Sequence, residues 1–218
     1  MAAFNGFHQE DFDVFAIDGL DQRMEAIKTV IRPKLVALGE HFAPLLSVST
    51  NREMVYHVAK HARRTVNPPN DTWVAWANDK RGYKKHPHFQ LGLWGTHLFV
   101  WYAVIYESPF KEQIGQAMER QIAEILQTVP AGFHWSPDHM QPESEPQAEL
   151  GREGVLKLIQ RLQTVKKAEL LCGIRIDRHD PLLTDALQLL QKIEETFAAL
   201  AQLYNLAMPG VTEPARSL

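Results

Sequence analysis

Three β-forming segments follow one another between Thr72 and Tyr106, and they commit the centre of this chain to an antiparallel sheet. Thr72 to Ala77 (TWVAWA) is rich in β-branched and aromatic residues, with turn-forming Asn67-Pro68-Pro69-Asn70 before it and Asn78-Asp79 after it. His88 to Trp94 places Phe89, Leu91 and Leu93 at alternate positions, so one face of that segment is apolar. It runs into Gly95-Thr96, a two-residue hairpin connection, and His97 to Tyr106 is apolar enough to be a central strand. So short a connection permits only antiparallel pairing, because a parallel return requires a crossover of about a dozen residues.

Helical patterns surround this core. Leu20, Met24, Ile27, Ile31, Leu35, Leu38, Phe42 and Leu45 recur three and four apart, with Asp18 and Asp21 available as caps. Pro33 either kinks that helix or restarts it. Ser108-Pro109 opens a second helix whose stripe runs from Phe110 to Val129. Pro130 to Leu150 reads as a long loop with a short strand at Phe133 to Trp135. Arg152 to Thr164 reads as a helix and Ala168 to Asp177 as a strand, and Asp180-Pro181 opens a last helix reaching Tyr204. Asp11 to Ile17, with Phe12, Val14 and Ile17 among acids, is expected to be a short strand. The predicted fold is α/β of the α+β type, a mainly antiparallel sheet flanked by long helices. Residues 1–208 form one domain, with a subdomain division at 130–150, and residues 209–218 form a flexible tail.

The 45% hydrophobic and 22% charged composition is that of a globular chain. The longest apolar run, Leu98 to Tyr106, is about half of the roughly 20 residues a membrane helix needs, and Met1 to Asp13 carries acids where a secretory signal would be basic. A cytoplasmic setting is therefore expected. Lone Cys172, among Leu170, Leu171 and Ile174, excludes an internal disulfide and reads as a buried, inert thiol. No phosphate-loop or dinucleotide glycine pattern occurs, so no cofactor is predicted.

The net charge of −3 conceals an asymmetry. Arg52 to His88 holds eight Lys and Arg against three acids, leaving the remainder of the chain strongly acidic. Within that stretch His57, Lys60, His61, Arg63, Arg64, Lys80, Arg81, Lys84, Lys85 and His86 offer donors of the kind that phosphates and carboxylates attract. Asn67, Asn70 and Gly82 add turns, and Tyr83 is the aromatic best placed to join a ligand. Two basic clusters on either side of the Thr72–Ala77 strand are expected to meet in neighbouring loops. His57 and His61 share a face in a helix or a strand, but Val58 stands where a zinc protease needs Glu, and the surrounding bases disfavour a cation. No metal site is predicted. Trp73, Trp94 and Trp101 are expected in the core. His134, Asp138, His139, Asp177 and His179 offer Asp–His pairs but no nucleophile motif.

DFDVFAIDGL (Asp11 to Leu20), HVAKHARRTVNPPNDTWVAW (His57 to Trp76), RGYKKHPHF (Arg81 to Phe89), IYESP (Ile105 to Pro109) and HWSPDH (His134 to His139) resemble the YktB-like family of uncharacterised bacterial proteins. The resemblance extends to about Leu206. It implies a compact α/β protein of two intimately packed subdomains in a bacterial cytosol, and no activity or site residue.

These residues support three readings. The first is a binding or regulatory module for a small anionic or phosphorylated ligand, or a short nucleic-acid segment, on the His57–His88 face. A pI near 6.4 argues against non-specific nucleic-acid binding. The second is a hydrolase or transferase acting on a phosphorylated substrate with His57 or His61 as general acid/base, supported by a carboxylate such as Asp138. The third is a protein–protein interaction surface.

Overall fold

The computed structural model describes residues 4–208, so the tail expected at 209–218 lies outside the described residues. Seven strands form one antiparallel sheet: β1 (Val55–Val58), β2 (Asp71–Ala77), β3 (His88–Trp94), β4 (His97–Val104), β5 (His134–Ser136), β6 (Glu145–Pro146) and β7 (Leu170–Asp177), in the order β1-β2-β3-β4-β7-β5-β6. The β2-β3-β4 meander is the one expected, and Leu93 pairs with Leu98 across the Gly95-Thr96 turn. The helices are α1 (Gln9–Asp13), α2 (Leu20–Ala26), α3 (Arg32–Thr50), α4 (Lys111–Arg120), α5 (Ile122–Thr128), α6 (Gln147–Thr164) and α7 (Ala186–Ala207). None among the described residues is long and apolar enough to cross a membrane.

Several local expectations change. Asp11 to Ile17 is α1 followed by a 3-10 turn, not a strand: the Asp11 carboxylate accepts from the His8 amide at 2.7 Å and from Lys34 Nζ at 2.6 Å, which caps a helical turn and lets Phe12 and Phe15 both bury. The 20–45 pattern restarts at Pro33, in the first turn of α3, after a π-turn at Ile27–Ile31. The helix expected through Val129 breaks at Gln121 into α4 and α5. Asp180 caps only the 3-10 turn Pro181–Thr184, whereas Asp185 accepts from the Leu187 and Gln188 amides and starts α7.

One face of the sheet is packed under helices. Trp76, Phe89 and Tyr102 point there with Phe42 of α3 and Phe197 and Tyr204 of α7; the Trp76 and Phe197 rings lie 5.2 Å apart and Trp76 Nε1 donates to the Gly39 carbonyl at 3.0 Å. Each such side chain contributes about 1.5–3 kcal/mol on burial. Cys172 is buried in the same core, which pushes its thiol pKa well up and leaves it inert.

Among the described residues no helix packs on the opposite face, although most of its side chains are buried. Because side chains alternate along each strand, it receives Asp71, Trp73, His88, Gln90, Trp94, Phe99, Trp101 and Arg175. Trp73, Trp94 and Trp101 therefore leave the main core and join Phe99 and Leu171 in a second, smaller cluster to which, among the described residues, no helix contributes. Two strand glycines let these rings lie flat. A Cβ on Gly92 would come within 2.5 Å of the Phe99 ring, and one on Gly173 within 1.9 Å of the Val100 carbonyl oxygen and 2.9 Å of the Trp101 ring.

Candidate functional site

This helix-free face holds a cleft walled by Trp73, Trp94, Phe99 and Trp101, with Asp71 and Gln90 between them and Ser136 of β5 and Asp138 and His139 of the loop after it along one side. Trp73 is where the predicted orienting residues meet. Its Nε1 donates to the Tyr83 hydroxyl at 3.0 Å, and the His61 ring stands edge-on to it at 5.5 Å. The Tyr83 ring lies 5.9 Å from His57 and 4.9 Å from His88. Tyr83 thus comes from the loop after β2 and His61 from the loop before it, and both close on one indole.

The connections before and after β2 leave opposite ends of the strand, and His61 of one and Tyr83 of the other come back to Trp73. The basic residues do not follow. Several bases also have acidic partners: Lys80 with Glu53 at 3.4 Å, Arg81 with Asp79 at 3.8 Å, Lys84 with Glu107 at 3.1 Å and His86 with Asp79 at 3.4 Å. Asn70 accepts from Arg23 at 3.2 Å and so braces the loop. Lys60, Arg63, Asn67 and Lys85 are exposed, and Arg64 reaches the Asn67 carbonyl at 3.5 Å. Neither His57 nor His61 meets a carboxylate: His57 Nε2 bonds the Asp79 carbonyl at 2.8 Å, and His61 Nε2 the Thr72 hydroxyl at 3.2 Å. Burial, with Arg64 and Arg32 nearby, lowers the His61 pKa to about 4, so this ring is neutral near pH 7.

Four polar groups of the cleft and its margin were not singled out in the sequence. Asp71 is 8% exposed, and burial pushes its carboxyl up to about 6 against the pull of Arg64 and His139. Gln90 donates through Nε2 to His88 Nε2 at 2.9 Å, while His88 Nδ1 donates to the His86 carbonyl at 2.7 Å. These bonds fix a neutral His88 tautomer, and burial holds its pKa down to about 4. Glu169 accepts from His139 Nδ1 at 2.6 Å, from the His139 amide at 3.0 Å and from the Tyr106 amide at 3.4 Å. Burial raises its pKa, but the bonds from His139 outweigh that and hold it below its ordinary value.

Arg175 pairs with Phe99 across β4 and β7. It donates to His97 Nδ1 at 3.3 Å and Ser144 Oγ at 3.4 Å, and among the described residues it has no salt-bridge partner. Burial, then Arg175, depresses the His97 pKa to about 3. The signal that could have found this face is the pair Gly92 and Gly173 inside otherwise strong strands, where a missing side chain marks a close approach.

A family model described as a domain of unknown function (DUF1054) matches residues 7–204. The chain belongs to the DUF1054 family. It is 56% identical over 200 residues to a UPF0637 protein of Bacillus velezensis, covering 92% of this chain and 95% of that one. UPF0637 proteins of Bacillus licheniformis and Bacillus cereus are each 52% identical over 200 residues, with 92% of this chain and 95% and 96% of theirs covered. These relatives agree with the YktB-like resemblance read from the sequence. The DUF1054 match spans all seven strands, so the helix-free face and its cleft lie wholly inside the family's own fold.

Proposed function

We propose that this DUF1054 protein is a cytoplasmic binding module for a small phosphorylated or otherwise anionic ligand that carries a flat ring, held on the helix-free face of the sheet. The observation that carries this reading is the cleft itself: half-buried Trp73 and Trp94 beside buried Phe99, Trp101, Asp71 and Gln90, with no helix of the described residues over them. The two half-buried rings, Trp73 and Trp94, are the aromatic edges at which a ligand meets this face. The ring stacks against the half-buried Trp73 and Trp94, and Asp71 and Gln90 bond its edge. His57, His61 and Tyr83 hold the Trp73 wall in place. Arg175 at one margin and Arg64 near Asp71 at the other supply positive charge, and the exposed Lys60, Arg63 and Lys85 add to the field that draws an anion in.

The test is a tryptophan-fluorescence titration with nucleoside monophosphates, beside inorganic phosphate and glycerol phosphate as ring-free controls. Ring-bearing phosphates should quench saturably, with affinity falling as salt rises. Trp73→Ala and Arg175→Ala should each weaken binding about tenfold or more, a change of about 1.4 kcal/mol or more. Absence of quenching by every ring-bearing phosphate, or quenching that both variants leave intact, refutes the reading.

A further inference from the structure

We infer that Asp138, His139 and Glu169 form a binding site for a divalent first-row cation at the side of the open-face cleft. Each offers one donor atom, and the three donors lie within 4.8 Å of one another. Donors on one tetrahedral ion at 2.0–2.2 Å are about 3.3–3.6 Å apart, so closing this set on a cation needs side-chain shifts of up to about 1 Å. One imidazole nitrogen with two carboxylate oxygens suits manganese or zinc better than magnesium or calcium, which prefer oxygen alone.

The donors are held in place by the backbone around them. Glu169 is 4% exposed and is gripped by the His139 and Tyr106 amides, and Asp138 Oδ1 accepts from the Met140 amide at 2.8 Å. The proton that His139 Nδ1 shares with Glu169 occupies the place of the cation. Binding therefore takes the tautomer with the proton on Nε2, and the metal replaces one hydrogen bond with two coordinate bonds.

Asp71 provides an independent pointer. It lines the same cleft at 8% exposure, and His139 is close enough to act on its charge. Among the described residues no other residue hydrogen-bonds its carboxyl. No Lys or Arg of those residues lies within salt-bridge distance of Asp71, Asp138 or Glu169 either. Two carboxylates on one histidine, with a third buried in the same cleft and, of the Lys and Arg, only Arg64 acting on it, is an arrangement that a bound cation balances. The site requires only these side chains, whether or not an organic ligand occupies the aromatic cleft.

The experiment is direct counting of bound Mn2+. Chelator-stripped protein is titrated with Mn2+ and the free ion is read by its electron paramagnetic resonance signal, with Zn2+ as competitor and Mg2+ as comparison. One Mn2+ per chain is expected, displaced by Zn2+ and poorly displaced by Mg2+. Asp138→Asn keeps the shape and its cap on Met140, and His139→Ala removes the nitrogen. Each should weaken binding by more than the about ten- to a hundredfold typical of outer-shell partners, with an unchanged circular dichroism spectrum. Free Mn2+ equal to total Mn2+ at millimolar concentration overturns the inference. So does binding that persists undiminished in both folded variants. Failure of nucleotide quenching with Mn2+ still bound would refute the ligand reading alone.

Discussion

Replacing Asp71 with Asn removes a charge that the fold is arranged to disfavour. Burial raises the Asp71 carboxyl from 3.8 to about 6, despite Arg64 and His139. A carboxyl whose pKa is higher folded than unfolded adds stability below its unfolded pKa, and that contribution is lost as pH rises through the folded value. About two pKa units at 1.36 kcal/mol each give roughly 3 kcal/mol. The ionised side chain therefore costs about 3 kcal/mol at pH 8 relative to a neutral isostere. Asp71→Asn should be more stable than the parent by up to that amount at pH 8, with a midpoint about 6–12 °C higher for a chain of this size. Most of the gain should be gone at pH 4, where Asp71 is protonated in the folded protein. Urea unfolding followed by far-UV circular dichroism at pH 4, 6 and 8 measures the difference. An equal gain at pH 4 and pH 8, or no gain at pH 8, would refute the assignment of the cost to a buried charge. A carboxylate kept at such a cost is expected to be needed for binding, so the same variant should bind ring-bearing phosphates more weakly.

His88 gives the opposite pH dependence. Its folded pKa is near 4 against an ordinary 6.5, so this ring, beside His61 and His97, should contribute a loss of roughly 3 kcal/mol of stability between pH 6.5 and pH 4 as the unfolded chain takes up a proton that the folded one refuses. His88→Gln should flatten that part of the stability–pH curve, and a curve of unchanged slope would exclude His88 as its source. Gly173→Ala should cost about 1–3 kcal/mol or more, since the new Cβ meets the Val100 backbone and the Trp101 ring, whereas Gly132→Ala, with open space around it, should fall within about 0.5 kcal/mol of the parent. Thermal melts of the two variants side by side make that comparison.

Much of the architecture was legible because it rests on local rules. The β2-β3-β4 meander follows from alternation and one tight turn, and β7 and α7 follow from apolar runs at strand and helix spacing. Asp11 to Ile17 was misread because its helix is specified by contacts beyond the segment, the buried Asp11 carboxylate binding Lys34. Asp180 was misplaced by one short turn because Asp180 and Asp185 are both competent caps, and packing of α7 chooses the second. Trp73 and Trp101 were assigned to the core because an aromatic in a strand buries well on either face.

The site was legible only in pieces. His61 and Tyr83 meet at Trp73 and His57 lies against Tyr83, a convergence of two loops that sidedness along one strand does not reveal. Glu169 and His139 lie 30 positions apart in sequence, and Asp71 stands in a different strand from either. The sequence by itself determined an antiparallel sheet with helices, a buried Cys172, and a basic, histidine-rich stretch from Arg52 to His88. Only the tertiary structure decided that, among the described residues, one face of that sheet has no helix on it, since this depends on every long helix packing to the same side. The same packing sets the charge state of Asp71 and His88 and joins Asp138, His139 and Glu169, because burial and proximity across strands belong to the folded chain.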